Sequence, residues 1–326
     1  MPFADTSNKA TIRRLWDLPI LERWHDRYSK SLSYFGLTGP EIKDLLDWRH
    51  IIDKKTAVES PGNTRALRLE ADETIGRMRT NMMMYGLSSG FQIMRADIED
   101  VIINAIDIDG QPPQINNGGA AHVAKFMYDI VNLDFDGGLA YTSKGKAAKR
   151  IVAIKKLFER QSGHDFVLFL TINVRDTLRS ELDEYIRELQ GRDRGEGWHD
   201  LLEWYLRRGK GEREYKLKVL VPTFIHAVAE LHMFRSTCYP PIVYDGHNNA
   251  RMLHFTFELQ AQLGRNLRSF SKQDDRDLVL LPMFRCRDST FTLAPGPNSE
   301  TQLQQVPNLL DFLPENTRTA IINGSV

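Results

Sequence analysis

Residues 128–138 read Tyr128-Asp-Ile-Val-Asn-Leu-Asp-Phe-Asp-Gly-Gly138. Ile130, Val131 and Leu133 form a short apolar run of strand type, and the run stops at two carboxylates, Asp134 and Asp136, followed by paired glycines. Acids at the end of a buried strand stand where open α/β sheets bind ligands, outside the carboxyl ends of the strands. A polar turn, in which Asp and Gly supply side-chain caps and positive φ, accounts for the same letters taken alone. The flanking sequence decides between the two.

Upstream, two stretches have the same form. Residues 31–36 read as a strand and Gly36 and Gly39 as a turn. A helix follows with Thr38 or Gly39 near its N-cap and Pro40 in its first turn, the opening of a nucleotide-binding unit. Thr56, Ala57 and Val58 make a second strand ending in Glu59, where a carboxylate can accept two hydrogen bonds from a ribose diol; a Glu opening a loop is the plain alternative. A helix from about residue 64 runs through Ile75, Met78, Met82 and Met83 to a C-cap at Gly86. Residues 91–96 form a third strand ending at Asp97, and a short helix covers 98–106. Residues 107–121, rich in Gly, Pro, Gln and Asn, are an irregular connection or a lid.

Downstream, a helix carries Lys144, Lys146, Lys149 and Arg150, and a strongly apolar fifth strand covers 166–172. Amphipathic helices follow over 178–190 and around Trp198 to Leu206, the second ending in Arg207 and Arg208. A basic cluster beside aromatics can grip phosphates and bases, and a solvated helix end has the same composition. A helix over 219–233 holds His226 and His232, whose spacing does not suit a helical metal pair, so both read as structural. Residues 241–244 and 252–259 pair as a hairpin, and 278–285 with 290–293 read as a further pair of strands. Ahead of the first strand, residues 9–34 have mostly helical spacing interrupted at Pro19.

With 326 residues and 41% hydrophobic content, the chain supplies an ordinary core for a soluble protein. Lys plus Arg and Asp plus Glu both number 43, so any nucleic-acid surface is a local patch rather than a global field. Cys238 and Cys286 fit neither a disulfide framework nor a Cys-Cys zinc site and suit a reducing interior. There is no run of membrane-span length and no signal-peptide pattern at the amino terminus, so the expected location is cytoplasmic.

Strand and helix alternating five times, then a helix and a reversed hairpin, give the expected fold class. It is an α/β, Rossmann-like, mostly parallel seven-stranded sheet with helices on both faces and a terminal antiparallel hairpin. In this element order, over residues 31–259, the chain resembles the class I S-adenosylmethionine-dependent methyltransferases. Ser33-Tyr-Phe-Gly-Leu-Thr-Gly-Pro-Glu41 stands at the family's glycine loop, which is degenerate here: Ser33, Phe35, Leu37 and Gly39 are in register, with Gly36 displaced. Glu59 stands at the ribose acid, Asp97 at the acid beside the adenine amino group, and Asp134-Phe-Asp-Gly-Gly138 at the catalytic loop. That loop is similar to those of tRNA guanine methyltransferases and three-Cys-motif partner proteins, with Phe135 in place of the usual proline and Asp136 in place of an aromatic.

The resemblance implies S-adenosylmethionine as cofactor, bound by Phe35, Gly36, Gly39, Glu59 and Asp97. It implies a catalytic loop of Asp134, Phe135 and Asp136, in which Asp134 orients a substrate amine or accepts its proton. It also points to RNA or DNA as acceptor, contacted through Lys144, Lys146, Lys149, Arg150, Arg207 and Arg208. The expected organisation is a helical leader (1–30), a methyltransferase-like domain (31–265, with a helical insertion at about 178–215) and a C-terminal extension (266–326). Two other classes stay open: a catalytically inactive module that binds a protein partner, and a metal-dependent phosphodiester or nucleotidyl enzyme holding a hard cation with Asp134 and Asp136.

Overall fold

Five runs of β-branched, aromatic and leucine residues form parallel strands in the order β3-β2-β1-β4-β5. They are β1 (Leu32–Gly36), β2 (Ile52–Glu59), β3 (Phe91–Arg95), β4 (Ile130–Asp134) and β5 (Phe166–Asn173). The computed structural model describes residues 6–60, 65–104, 127–135, 137–139, 149–174, 180–192 (backbone alone for 180–184), 195–262 and 273–296. β4 and β5 are buried on both faces, as parallel strands sandwiched between helices must be.

The strand order reverses between β1 and β4, which opens a crevice at their carboxyl ends. On one face lie α1 (Ser7–Ile12), a π-helical turn (Arg13–Asp17), α2 (Leu18–Tyr28), α3 (Lys43–Asp47) and α4 (Arg65–Met84). Trp16, Trp24 and Trp48 pack there with Ile130, Val167 and Phe169 of the sheet. The opposite face is covered by α5 (Ile98–Asn104), α6 (Lys149–Arg160), α7 (Ser180–Gly191), α8 (Trp198–Arg208), α9 (Arg213–Leu231) and α10 (Asp275–Leu280). No helix among the described residues is long and apolar enough to cross a membrane.

Beyond β5 the sheet continues with an antiparallel strand, β8 (Arg251–Ala261), as the reversed hairpin requires. Both β6 (Phe234–Cys238) and β7 (Ile242–Asp245) pair with β8, so they are two halves of one strand broken at Tyr239-Pro-Pro241. The pairs Cys238↔Phe257 and Ile242↔His254 show one extra residue on the broken strand, a β-bulge. Phe234 and Cys238 face the α9 side, whereas Ile242 and Tyr244 face the leader. β9 (Phe284–Arg287) adds in parallel to β7, and β10 (Thr290–Leu293) closes the edge against β9.

Among the described residues the sheet has ten strands: the seven expected, the further pair, which joins it as β9 and β10, and β6. β6 was hidden because only His232 and Met233 turn the chain between α9 and Phe-Arg-Ser-Thr-Cys, with no Gly, Pro, Asn or Asp to mark the turn. The strand expected over 278–285 starts only at Phe284. Asp274 accepts from the Asp277 backbone and Asp277 reciprocates, a capping box that starts α10 instead. The helix expected from Pro40 is also displaced: Gly39 and Ile42 both take left-handed φ, and α3 is a five-residue helix beginning at Lys43. Pro19 does not break the leader, because it occupies the first turn of α2, where a missing N–H costs little.

Candidate active site at the carboxyl edge of the sheet

Glu59 ends β2 and Asp97 follows β3, so parallel pairing of the two strands brings these acids to one stretch of edge. Ser60 Oγ donates to Asp97 Oδ1 at 2.6 Å and ties the two strand ends together. Burial, with a contribution from Glu70, pushes the Glu59 carboxyl up to about 7. An acid raised in this way gains from a ligand that donates hydrogen bonds to its ionised form.

The glycine turn serves the sheet rather than an open cradle. A Cβ on Gly36 would stand 2.3 Å from the Asn132 backbone oxygen, so glycine is required there by the approach of β1 to β4. The Phe35 side chain is fully buried, with its ring centroid 5.2 Å from that of Tyr128 on the α5–α6 side. Of the turn residues assigned to the cofactor, Gly39 alone combines a left-handed conformation, φ 63°, with a place in the loop itself.

Asp134 is buried and points to the leader face, where Lys9 of α1 donates its ammonium to Asp134 Oδ2. Burial works against the Lys9 charge, but Asp134 and Asp44 outweigh it and raise the Lys9 pKa. Two residues earlier on the same face, Asn132 Nδ2 donates to Asp44 Oδ2 at 2.8 Å, and Arg13 also reaches Asp44. Burial pushes Asp44 up to about 6, against the opposing charges of Arg13 and Lys9. His254 on β8 spans Asp17 Oδ1 and Thr171 Oγ1, each at 2.9 Å. Among these side chains lies a space of about 20 Å³, room for about one water molecule.

Phe135 turns the other way, into the core, with the Arg150 guanidinium 4.4 Å from its ring centroid. Asp136, Lys144 and Lys146 lie outside the described residues. The remaining basic candidates are engaged by acids. Lys149 Nζ is 2.6 Å from Asp100 Oδ2, and Arg150 Nε is 3.0 Å from Glu99 Oε1. Arg207 reaches Glu203, while Arg208 pairs with Glu212 and lies over the rings of Trp204 and Tyr215.

The structure thus sets Glu59 and Asp97 on one stretch of sheet edge and Asp134 in a separate buried cluster with Lys9, Arg13, Asp17, Asp44, Tyr244 and His254. The sequence held one signal for that cluster. Lys9, Arg13 and Asp17 recur every fourth residue, in step with Ile12, Trp16 and Ile20, so charges share a face with a buried stripe. Charges so placed must find partners on the surface they cover.

No protein-family model matches the chain, and no curated protein is similar to it. Similar solved structures include EvdMO1 (TM-score 0.37, 13% identity, 78% of this chain and 43% of that one). They also include the mitomycin 7-O-methyltransferase MmcR (TM-score 0.35, 11% identity, 77% of this chain and 53% of that one). A third is an rRNA methylase from Streptococcus thermophilus (TM-score 0.34, 11% identity, 78% of this chain and 94% of that one). The chain spans less than half the length of EvdMO1 and about half that of MmcR.

Proposed function

We propose that this chain is a methyltransferase using S-adenosylmethionine. The observation that carries the reading is the pair Glu59 and Asp97, set at adjacent strand ends beside the point where the strand order reverses. The residues present suit the nucleoside half of the cofactor: Glu59 would accept from both ribose hydroxyls and Asp97 from the adenine amino group. The methionine half finds less, since the missing side chain of Gly36 makes room for Asn132 and not for a ligand.

When bound, S-adenosylmethionine supplies a methyl group already activated on a sulfonium, so the protein's part is alignment and exclusion of water. Asp134 would orient the acceptor or take up its proton, which requires Lys9 to release it first. Calorimetric titration with S-adenosylmethionine tests the reading. Binding is expected to weaken at least about tenfold in Glu59→Gln and in Asp97→Asn, the loss of a charge-assisted hydrogen bond. No heat of binding from the folded wild-type chain would sink it.

A nucleic-acid acceptor is the narrower form of the reading. It asks Lys149, Arg150, Arg207 and Arg208 to exchange their acidic partners for phosphates. Weaker RNA binding on neutralising Arg207 and Arg208 would support it. The engagement of Asp134 by Lys9 favours a second reading, a binding module of the same fold without catalysis. That reading expects no methyl transfer to any acceptor even when S-adenosylmethionine binds.

A further inference from the structure

The buried cluster beneath the leader has an unusual occupant. Asp17, Asp44 and Asp134 converge on one small space, and the ammonium bonded to Asp134 is that of Lys9. The Lys9 side chain is 27% exposed, so it lies at the mouth of the space rather than in its depth. Ile12 and Trp48 line the same space and offer an apolar wall to a methylene chain. A second feature is independent of the acids. Tyr244, only 3% exposed, lines the space, and its hydroxyl has no hydrogen-bond partner among the described residues. Its oxygen is not among the fully enclosed unpartnered atoms of the described residues, so it faces the space itself, where a ligand or a water can bond to it.

We propose that this pocket is a binding site for an unbranched primary alkylammonium group, and that Lys9 holds it shut by placing its own ammonium there. The acids supply the countercharge, and Ile12 with Trp48 takes the stem. Tyr244 supplies a hydroxyl that Lys9 leaves unused. With Lys9 in place the remaining space of about 20 Å³ admits nothing larger than water, so a ligand enters only by displacing the lysine. The leader is built for such a release. Ser7 to Ala10 of α1 are partly or fully exposed, and a π-helical turn, the type of irregularity often found at functional sites, separates α1 from α2, which Ile20, Leu21 and Trp24 anchor in the core. The inference goes beyond methyl transfer, since it asks only for recognition of a cation.

The test titrates n-butylammonium into the full chain and into Lys9→Met and Lys9→Gln, each verified as folded by near-UV circular dichroism. Both variants are expected to bind at least about tenfold more tightly than wild type, because the internal competitor is gone. Adding Tyr244→Phe should weaken that binding, and n-butanol should not bind. A folded Lys9 variant that ignores n-butylammonium, or binds butanol equally well, overturns the proposal. Should both variants fail to fold, the wild-type chain decides. Hydrogen–deuterium exchange over α1, read by mass spectrometry, should accelerate when n-butylammonium is added, and an unchanged rate overturns the proposal. Spermidine and N-acetyl-lysine methylamide, run side by side, distinguish a free polyamine from a lysine side chain as the source. S-adenosylhomocysteine is titrated separately, so failure of one binding event leaves the other readable.

Discussion

On the proposed reading, Glu59 would make nucleoside binding sensitive to pH in the physiological range. Burial and the charge of Glu70 raise its carboxyl to about 7, so at neutral pH the empty site is half protonated. A ribose diol donates its hydrogen bonds to the ionised form, and ligand binding therefore has to expel the proton. With a midpoint near 7, about nine-tenths of the sites are ionised at pH 8 and about one-tenth at pH 6, so affinity should fall about tenfold across that interval. Calorimetry with S-adenosylhomocysteine in matched buffers reads this directly. Glu59→Gln should bind weakly with a flat profile, and Glu70→Gln should bind with its midpoint moved to lower pH, because a like charge is removed. A wild-type affinity that stays constant from pH 6 to 8, or a Glu59→Gln profile that tracks the wild type, would refute the assignment of Glu59 to the ribose.

Gly36→Ala should cost about 1–3 kcal/mol or more in urea unfolding, because its methyl group meets the Asn132 backbone oxygen and the central strands must part. Asp129 is opposed by burial, but hydrogen bonds from His164, Lys30 and Ser33 hold it down to about 2. Its contribution, about 2 kcal/mol, should be present in full above pH ~4 and lost as pH falls toward 2, a slope that Asp129→Asn removes. Asp44 behaves in the opposite sense. Raised to about 6 by burial, it should make the wild type gain stability, at most about 3 kcal/mol, as pH falls from 6 toward 4, and Asp44→Asn should abolish that gain.

The parallel core was legible because local and long-range demands agree. Ile130, Val131 and Leu133 are strand formers, and the fold buries them on both faces of β4. The positions of Glu59 and Asp97 were legible for the same reason, since each follows a strand-forming run whose end the sheet places at the edge. The contact of Gly36 with Asn132 was not legible, because a glycine needed for chain contact and one needed for a ligand look identical in sequence. The cluster around Asp134 could not be assembled from the letters. Its members come from α1, the π-helical turn, α3 and four strands, and only packing of the leader on the sheet makes Lys9 a neighbour of Asp134. Lys149 and Arg150 likewise look free as text and are neutralised by Asp100 and Glu99 one helix away.

The bulge at Tyr239-Pro-Pro241 bears on how the pocket is encoded. Because strand side chains alternate, the one extra residue there inverts which parity looks toward the leader. Tyr244 reaches the pocket by virtue of a residue count and not of any property of its own. Excising one proline would return it to the opposite core and turn Val243 toward the acids, with every side chain of the pocket still present in the chain. The pocket is in this sense spelled by spacing, so a single-residue deletion several positions away would erase it more thoroughly than most substitutions within it.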